Sequence, residues 1–394
     1  MSIRVLKFGG TSLCDSKEMI NAASVVKMNK HRRAVCVSAP GRRSHNDEKI
    51  TDILYRLSRE KSCDLFDKVK NRFDKIIKDL GLCLEFGGEY GKIESALSHG
   101  DAEYIVSRGE YFSGRIMAEL LDFSFVDAAD VIKFDEHGTV SEKTSRLIRE
   151  SFKGKQGIVI PGFYGSDDLG RVKVFSRGGS DITGAIVANA LCADVYENFT
   201  DVDGFMFSPP EITGKKNVIG RMSYASARFL AHYGSCVLHE DSVIYTRRGI
   251  PINIKNTFSP EKEGTVIDQN GDAVHGGVVG VTGSHGFALI SGGRMDVLRN
   301  TRHVLSADGK RAVLKEKDAK RLLKERCENI ACAAVACDSR NASILNRAVS
   351  AIVGGGIEPM FIGLEPEGLV FGIDAGGLEK TVRILDAEFD NTRV

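Results

Sequence analysis

The chain has 394 residues, 42% of them hydrophobic and 27% charged, with a formal net charge of +1. That is the composition of a soluble globular protein, long enough for two cores. A charge so near zero gives no electrostatic basis for binding nucleic acid or an anionic membrane, and no apolar run approaches the ~18 residues of a membrane span.

The N-terminus enters a strand-like run at once, without the basic and apolar regions of a signal peptide. The nine cysteines are scattered and form no CxxC pair. Cys327, Cys332 and Cys337 are spaced by five, which suits no common zinc motif. They read as reduced thiols of a cytoplasmic protein, most of them buried as small hydrophobes.

In chain order, Val5–Phe8 predicts a strand and 17–29 a helix. "AVCVS" (34–38) is a short apolar run of the kind buried on both faces of a sheet. Residues 50 to about 80 are charged and periodic, hence helical. "GIVIPGF" (157–163), "VKVFS" (172–176), "DVYENFTDVDG" (194–204) and "IPINIKN" (250–256) predict further strands, and "ITGAIVANAL" (182–191) a helix. This alternation predicts an α/β fold, a mostly parallel sheet sandwiched by helices, with ligands at the carboxyl ends of the strands.

The tail differs. From Asn329 the pattern is strand, helix, two strands around the turn "EPEG", and helix: a small α+β unit of type βαββα. "DQNGDAVHGG" (268–277) marks the boundary. The expected division is a first domain at 1–270 and a second region at 278–394, with a complete βαββα unit at about 329–394 and a shortened one before it.

"VLKFGGTSLCD" (5–15) raises the chemical question. A strand ends in Lys7, and glycines and hydroxyls follow. Gly9 and Gly10 let backbone N–H groups approach a ligand, and with Thr11 and Ser12 before a helix they make an anion site. Alone, this is equally a tight turn whose lysine reaches water. "VFSRGGSDITGAIVANAL" (174–191) repeats the design, with Arg177 in the turn and Ser180 and Asp181 where N-caps belong. "TDVDG" (200–204) ends a third strand. Neither glycine loop is a Walker loop or a GxGxxG loop.

"KFGGTS" (7–12), "VSAPG" (37–41), "SRGE" (107–110), "FSRGGSD" (175–181) and "TDVDG" together resemble the aspartate kinase family of the amino acid kinase superfamily. With "INIKNTFSPEKEGT" (252–265) the likeness covers about the first 267 residues. The last 60 or so resemble an ACT domain, that family's regulatory module. The resemblance implies transfer of phosphate from ATP to the side-chain carboxylate of L-aspartate, giving 4-phospho-L-aspartate. This is the first step toward lysine, threonine and methionine, or of a dedicated branch. Both reactants are anionic, so charge must be neutralised and geometry held, while no general base is required.

The resemblance also assigns roles. Lys7 and Asp181 form the catalytic pair, with Asp181 orienting the lysine. Gly9, Gly10, Thr11 and Ser12 cradle phosphate. Ser38, Thr51, Arg177 and Ser180 hold the amino acid, Arg177 by a bidentate clamp. Glu110 binds the α-ammonium, although an acidic residue in the first turn of a helix could equally serve its dipole. Thr200, Asp201, Asp203 and Lys255 hold the nucleotide, and Lys255 could equally be a solvated loop lysine. His239 reads as structural, since the reaction gives it no task. Mg²⁺ is expected to arrive on the phosphates of ATP.

Two departures stand out. After "TDVDG" the family continues with an aromatic residue and then Asp-Pro-Arg, but here Pro209 and Glu211 take the Asp and Arg places. Lys215, Lys216 and Arg221 are the candidate compensating cations, and Glu211→Arg is expected to lower the KM for ATP in steady-state assays. In the tail, "CDSRNAS" (337–343) lacks the glycine turn that receives amino-acid effectors, which argues against feedback by lysine or threonine. A homodimer is the expected assembly. The rival readings are a kinase for another acidic amino acid and a catalytically impaired amino-acid-binding regulator.

Overall fold

The computed structural model describes residues 2–175, 178–235, 237–239, 241–246, 249–271, 277–291, 298, 303–305, 310–322 and 327–390. They fall into two compact units, Met1–Asp203 with Asp241–Gly264, and Gly204–Glu240 with Thr265–Val394.

The chain begins with β1 (Arg4–Phe8), α1 (Ser16–Lys27), β2 (Arg32–Val37), α2 (Ile50–Glu60) and α3 (Cys63–Leu80). Next come α4 (Gly87–His99), α5 (Ala102–Leu121), β3 (Ser124–Phe125), α6 (Ala128–Val131) and α7 (Lys143–Phe152). β4 (Ile158–Pro161), β5 (Tyr164–Ser166), β6 (Val172–Val174), α8 (Gly179–Leu191) and β7 (Val195–Thr200) follow. The second unit contributes α9 (Pro210–Thr213), β8 (Arg221–Ser223) and α10 (Tyr224–Tyr233) before the first unit closes with α11 (Ser242–Tyr245) and β9 (Ile252–Asn256). β10 (Thr265–Asp268) pairs in parallel with β8 inside the second unit.

In the first unit the strands run parallel in the order β3-β4-β2-β1-β7-β9. Val5, Leu6 and Phe8 are fully buried, which explains why β1 reads as an unbroken apolar run around its lysine. From β1 the chain goes to β2 on one side and later to β7 on the other. A crevice therefore opens at the carboxyl ends of these three strands. Two expectations change in detail. The stretch 50–80 is two helices, because Lys61 takes a left-handed conformation between them. "VKVFS" stays out of the parallel sheet. Its strand β6 forms a hairpin with β5, turned by Gly170 (φ +77°) and by Asp167, whose Oδ1 accepts from the amides of Leu169 and Arg171.

A buried ion pair sits in this sheet. Glu197 on β7, 1% exposed, accepts from Arg32 Nε at 2.8 Å and Nη2 at 2.9 Å, and from Arg4 Nη1 at 3.2 Å. Arg32→Leu strips that carboxylate of its bidentate partner and is expected to cost about 3–5 kcal/mol, read as a drop in the urea unfolding midpoint.

The second unit holds an antiparallel sheet. Its strands are β11 (Val278–Ser291), β12 (His303–Leu305), β13 (Arg311–Lys315), β14 (Glu328–Cys337), β15 (Phe361–Glu365) and β16 (Gly368–Ile373), with helices α12 (Glu316–Leu322), α13 (Ala342–Gly354) and α14 (Leu378–Asp390). The strand order is β12-β13-β11-β14-β16-β15. The complete βαββα is β14-α13-β15-β16-α14. Residues 278–322 supply a strand, a hairpin and a helix in the same succession, and the long first strands, β11 and β14, pair antiparallel at the centre. The shorter set thus mirrors the longer one across that pair, an ACT-like arrangement. Of the described cysteines Cys14, Cys36, Cys332 and Cys337 are buried and Cys63, Cys83 and Cys192 exposed, so burial accounts for fewer of them than expected. Among the described residues no helix is long and apolar enough to cross a membrane.

Candidate active site

Lys7 is the penultimate residue of β1, with 8% of its surface exposed. Its register neighbours are Cys36 on β2 and Asn198 on β7, so all three side chains share one face of the sheet. α8 covers that face and brings Asp181, whose Oδ1 lies 2.6 Å from Lys7 Nζ. Gly178 (φ +60°) makes the turn into α8, a backbone that a side chain would strain. Asn198, fully buried, closes the group. Its Oδ1 accepts from Lys7 Nζ at 3.4 Å, and its Nδ2 donates to Asp181 Oδ1 at 3.1 Å.

The glycine loop divides its labour. The amide of Gly9 donates to Phe199 O at 3.1 Å and that of Ser12 to Gly9 O at 3.1 Å. The Ser12 hydroxyl, fully buried, is 2.7 Å from Thr257 Oγ1. Among the described residues the amides of Gly10 and Thr11 are left without a protein acceptor. Gly10 itself has an ordinary helical φ of −61°. It is needed for space: a Cβ there would lie 2.9 Å from Ala39 O and 3.2 Å from Gly41 Cα. Gly10→Ala should therefore wedge the β1 and β2 loops apart. The expected cost is about 1–3 kcal/mol in thermal unfolding, together with a higher KM for ATP.

The loop after β2 carries the second half of the site. Ser38 Oγ donates to Ser180 Oγ at 2.8 Å. Gly162, where a Cβ would stand 2.6 Å from Ser180 Cβ, allows β4 and α8 to meet closely enough for this. Ala39 lies against this part of α5, and its backbone amide draws the Glu110 pKa down against the effect of burial. Gly109 permits that contact, since its Cβ would come within 2.7 Å of Ala39 Cβ. Glu110 lies in the middle of α5, whose N-cap is Asp101, and so has no share in the dipole of a first turn. It is 4% exposed, and its Oε2 has no hydrogen-bond partner. Burial pushes its pKa up to about 8, against the backbone amides of Ala39 and of Glu110 itself and the nearby charge of Arg108. Thr51, half-buried, stands in the first turn of α2. One turn on, burial and then the Glu110 charge raise the Tyr55 phenol.

Other expected residues lie apart from this cluster. Lys255 pairs with Phe199, not Asn198, so it occupies the sheet face opposite Lys7. There it is 9% exposed, without a hydrogen-bond or ion-pair partner among the described residues. Burial lowers its pKa, with the nearby charge of Glu197 opposing. Thr200 Oγ1 donates to Asp201 at 3.2 Å. Asp203 is occupied by Asn256 at 2.7 Å and Lys262 at 2.8 Å, and so anchors the loop after β9. Arg177 lies outside the described residues. Two of the suggested compensating cations are committed: Lys215 to Asp386 at 2.8 Å and Asp390 at 2.7 Å, and Arg221 to Asp268. Asn198 and Thr257 escaped sequence reading. The only signal for Asn198 was a polar residue inside the apolar run "VYENF".

Residues 2–256 match the Amino acid kinase family. Aspartokinase 3 of Bacillus subtilis is 32% identical over 310 residues, 73% of this chain and 68% of that one. The lysine-sensitive aspartokinase 3 of Escherichia coli is 26% identical over 294 residues, 67% of this chain and 64% of its own length. Among solved structures, the aspartate kinase of Clostridium acetobutylicum is similar with a TM-score of 0.81 at 29% identity, over 99% of this chain and 100% of that chain. Aspartokinase III of E. coli in complex with aspartate and ADP shares the fold, with a TM-score of 0.84 at 19% identity over 99% and 100% of the two chains.

Proposed function

The chain belongs to the amino acid kinase family and within it to the aspartate kinases, and we propose that its first unit phosphorylates the β-carboxylate of L-aspartate through the cluster around Lys7 and Glu110. The observation that carries this reading is the unpartnered Oε2 of buried Glu110. A carboxylate held out of water without a partner is costly, and a substrate ammonium repays that cost. N-acetylglutamate offers no such cation. The Lys7–Asp181 pair speaks against a regulator without catalysis, since sensing alone gives it no role.

The β-carboxylate of aspartate is ionised at neutral pH and attacks the γ-phosphorus directly. An oxygen–phosphorus bond forms, the bond to the β–γ bridging oxygen breaks, and ADP leaves with the electron pair. Lys7 neutralises charge on the transferring group, and Asp181 fixes where the ammonium points. The amides of Gly10 and Thr11 donate to phosphate oxygens, while Gly9 and Ser12 brace the loop through Phe199 and Thr257. Ser38, Thr51, Ser180 and Arg177 hold the amino acid. Lys255, on the sheet face opposite Lys7, is the second phosphate-neutralising cation only for the part of the nucleotide that lies away from the transferring group. Thr200 and Asp201 contact the nucleotide, and Asp203 holds the loop that does so. Mg²⁺ enters bound to the phosphates of ATP and shares their charge.

The second unit serves dimerisation and is indifferent to lysine and threonine. Asp338 in its effector-loop position is taken by Arg340 at 2.9 Å, and Asn341 caps α13. The chain acts in the cytoplasm at the entry to the aspartate-derived amino acids.

The test is ADP release with Mg·ATP and L-aspartate, L-glutamate or N-acetylglutamate, with hydroxylamine trapping the acyl phosphate. Aspartate-dependent hydroxamate, unchanged by lysine or threonine, is expected. No hydroxamate from any acid overturns the kinase reading.

A further inference from the structure

Lys7 is held by more than its carboxylate. An ammonium has three N–H bonds and can swivel about a single acceptor. Here two acceptors are fixed on the same side: Asp181 Oδ1 at 2.6 Å and Asn198 Oδ1 at 3.4 Å. Asn198 also donates to the very Asp181 oxygen that receives Lys7, at 3.1 Å, so the three groups form a closed ring. Asn198 is itself immobile. It is fully buried, and its backbone lies in register between Lys7 on β1 and Ile254 on β9. A Cβ on Gly9 would lie only 3.6 Å from Lys7 Nζ, so the ammonium faces the glycine loop whose Gly10 and Thr11 amides lack acceptors among the described residues.

We infer that Asn198 is a positioning residue, whose side-chain amide engages both Lys7 and Asp181 so that the third ammonium N–H is aimed at the phosphate cradle. This rests on the phosphoryl-transfer reading above. The amide is suited to the task because it offers an acceptor to the lysine and a donor to the aspartate without adding charge. A carboxylate keeps the acceptor for Lys7 but can donate to Asp181 only once it has taken up a proton.

That difference supplies the test. Asn198→Leu keeps the volume and removes both hydrogen bonds. Asn198→Asp keeps the acceptor but sets a second carboxyl against Asp181, which favours its protonated form. The charged groups facing position 198 are Lys7 on β1 and Asp181 on α8, while its β9 neighbour Ile254 carries none. Protonated, the new carboxyl donates to Asp181 and accepts from Lys7 as the amide does. Hydroxamate formation and melting temperature are to be measured for the wild type and both variants from pH 6 to 8.5.

The expected result is a kcat about 10–100-fold lower for Asn198→Leu, with KM for aspartate and ATP within about threefold of wild type. For Asn198→Asp the kcat relative to wild type should rise at least ~10-fold as the pH falls across that range. A role confined to packing would lower the melting temperature while leaving kcat ratios near one and flat with pH, and that outcome overturns the inference. A wild-type protein that forms no hydroxamate instead overturns the kinase reading on which it rests.

Discussion

Lys7→Met is expected to lower kcat for aspartate phosphorylation by about 10³-fold or more, while KM for aspartate changes little. The thioether fills the lysine's track but carries no charge and no donor. Phosphoryl transfer offers the protein little covalent chemistry, so losing the cation that meets the transferring group removes transition-state stabilisation directly. The variant also removes the ammonium beside Asp181, whose side chain is 14% exposed and keeps the Asn198 amide, and losing a charged hydrogen bond of this kind costs about 1–3 kcal/mol of stability. Folding and catalysis are separated by the double variant Lys7→Met/Asp181→Asn. Its melting temperature should recover most of the loss and its turnover none. Single-turnover assays on both proteins check this, and a double variant that regained activity would show that the single one had merely unfolded.

Glu110→Gln should act on binding and stability in opposite directions. Replacing the counter-charge of the α-ammonium should raise KM for aspartate by about 10²-fold, the scale of a buried charge-assisted hydrogen bond. Stability follows from the burial of the carboxyl. Its native pKa is about 8, whereas an unfolded glutamate titrates near ~4.3. Between those values the native state holds the proton that the unfolded state has released, so stability falls as pH rises through this window. Below it both states are protonated and no penalty remains. Glutamine resembles the protonated form at every pH. The variant should therefore match wild type near pH 4 and exceed it by on the order of 3 kcal/mol at pH 8.5. Denaturant melts at the two pH values check the sign. A wild type no less stable at high pH, relative to the variant, would contradict the unpaired buried carboxylate.

Much of this site was legible because its parts are local in sequence. Lys7, the glycine loops and Asp181 sit at strand ends and helix starts, where turn chemistry shows in a few letters. The βαββα of the tail was legible because its periodicity switches cleanly between elements. Sheet register was not legible. Lys7 and Lys255 look alike as lysines near strand ends, yet pairing with Asn198 sends one and pairing with Phe199 sends the other to opposite faces. Asn198 was invisible for the same reason, since its two partners arrive from 191 and 17 residues away. Ser12 read as a phosphate ligand until Thr257, 245 residues on, took its hydroxyl. Glu110 could be placed in a helix but not at its middle, because the cap at Asp101 lies before the motif.

The most direct measurement is the number of protons released when L-aspartate binds, from calorimetric titrations of the full chain with ADP at pH 7 in two buffers of different ionisation enthalpy. Glu110 is mostly protonated in the free site at that pH and must ionise to meet the ammonium. Release of nearly one proton per aspartate is expected, falling to zero in Glu110→Gln with binding much weakened. Tight aspartate binding without proton release, unchanged by Glu110→Gln, would remove Glu110 from the substrate and with it the basis for assigning this site to an amino acid bearing a free ammonium.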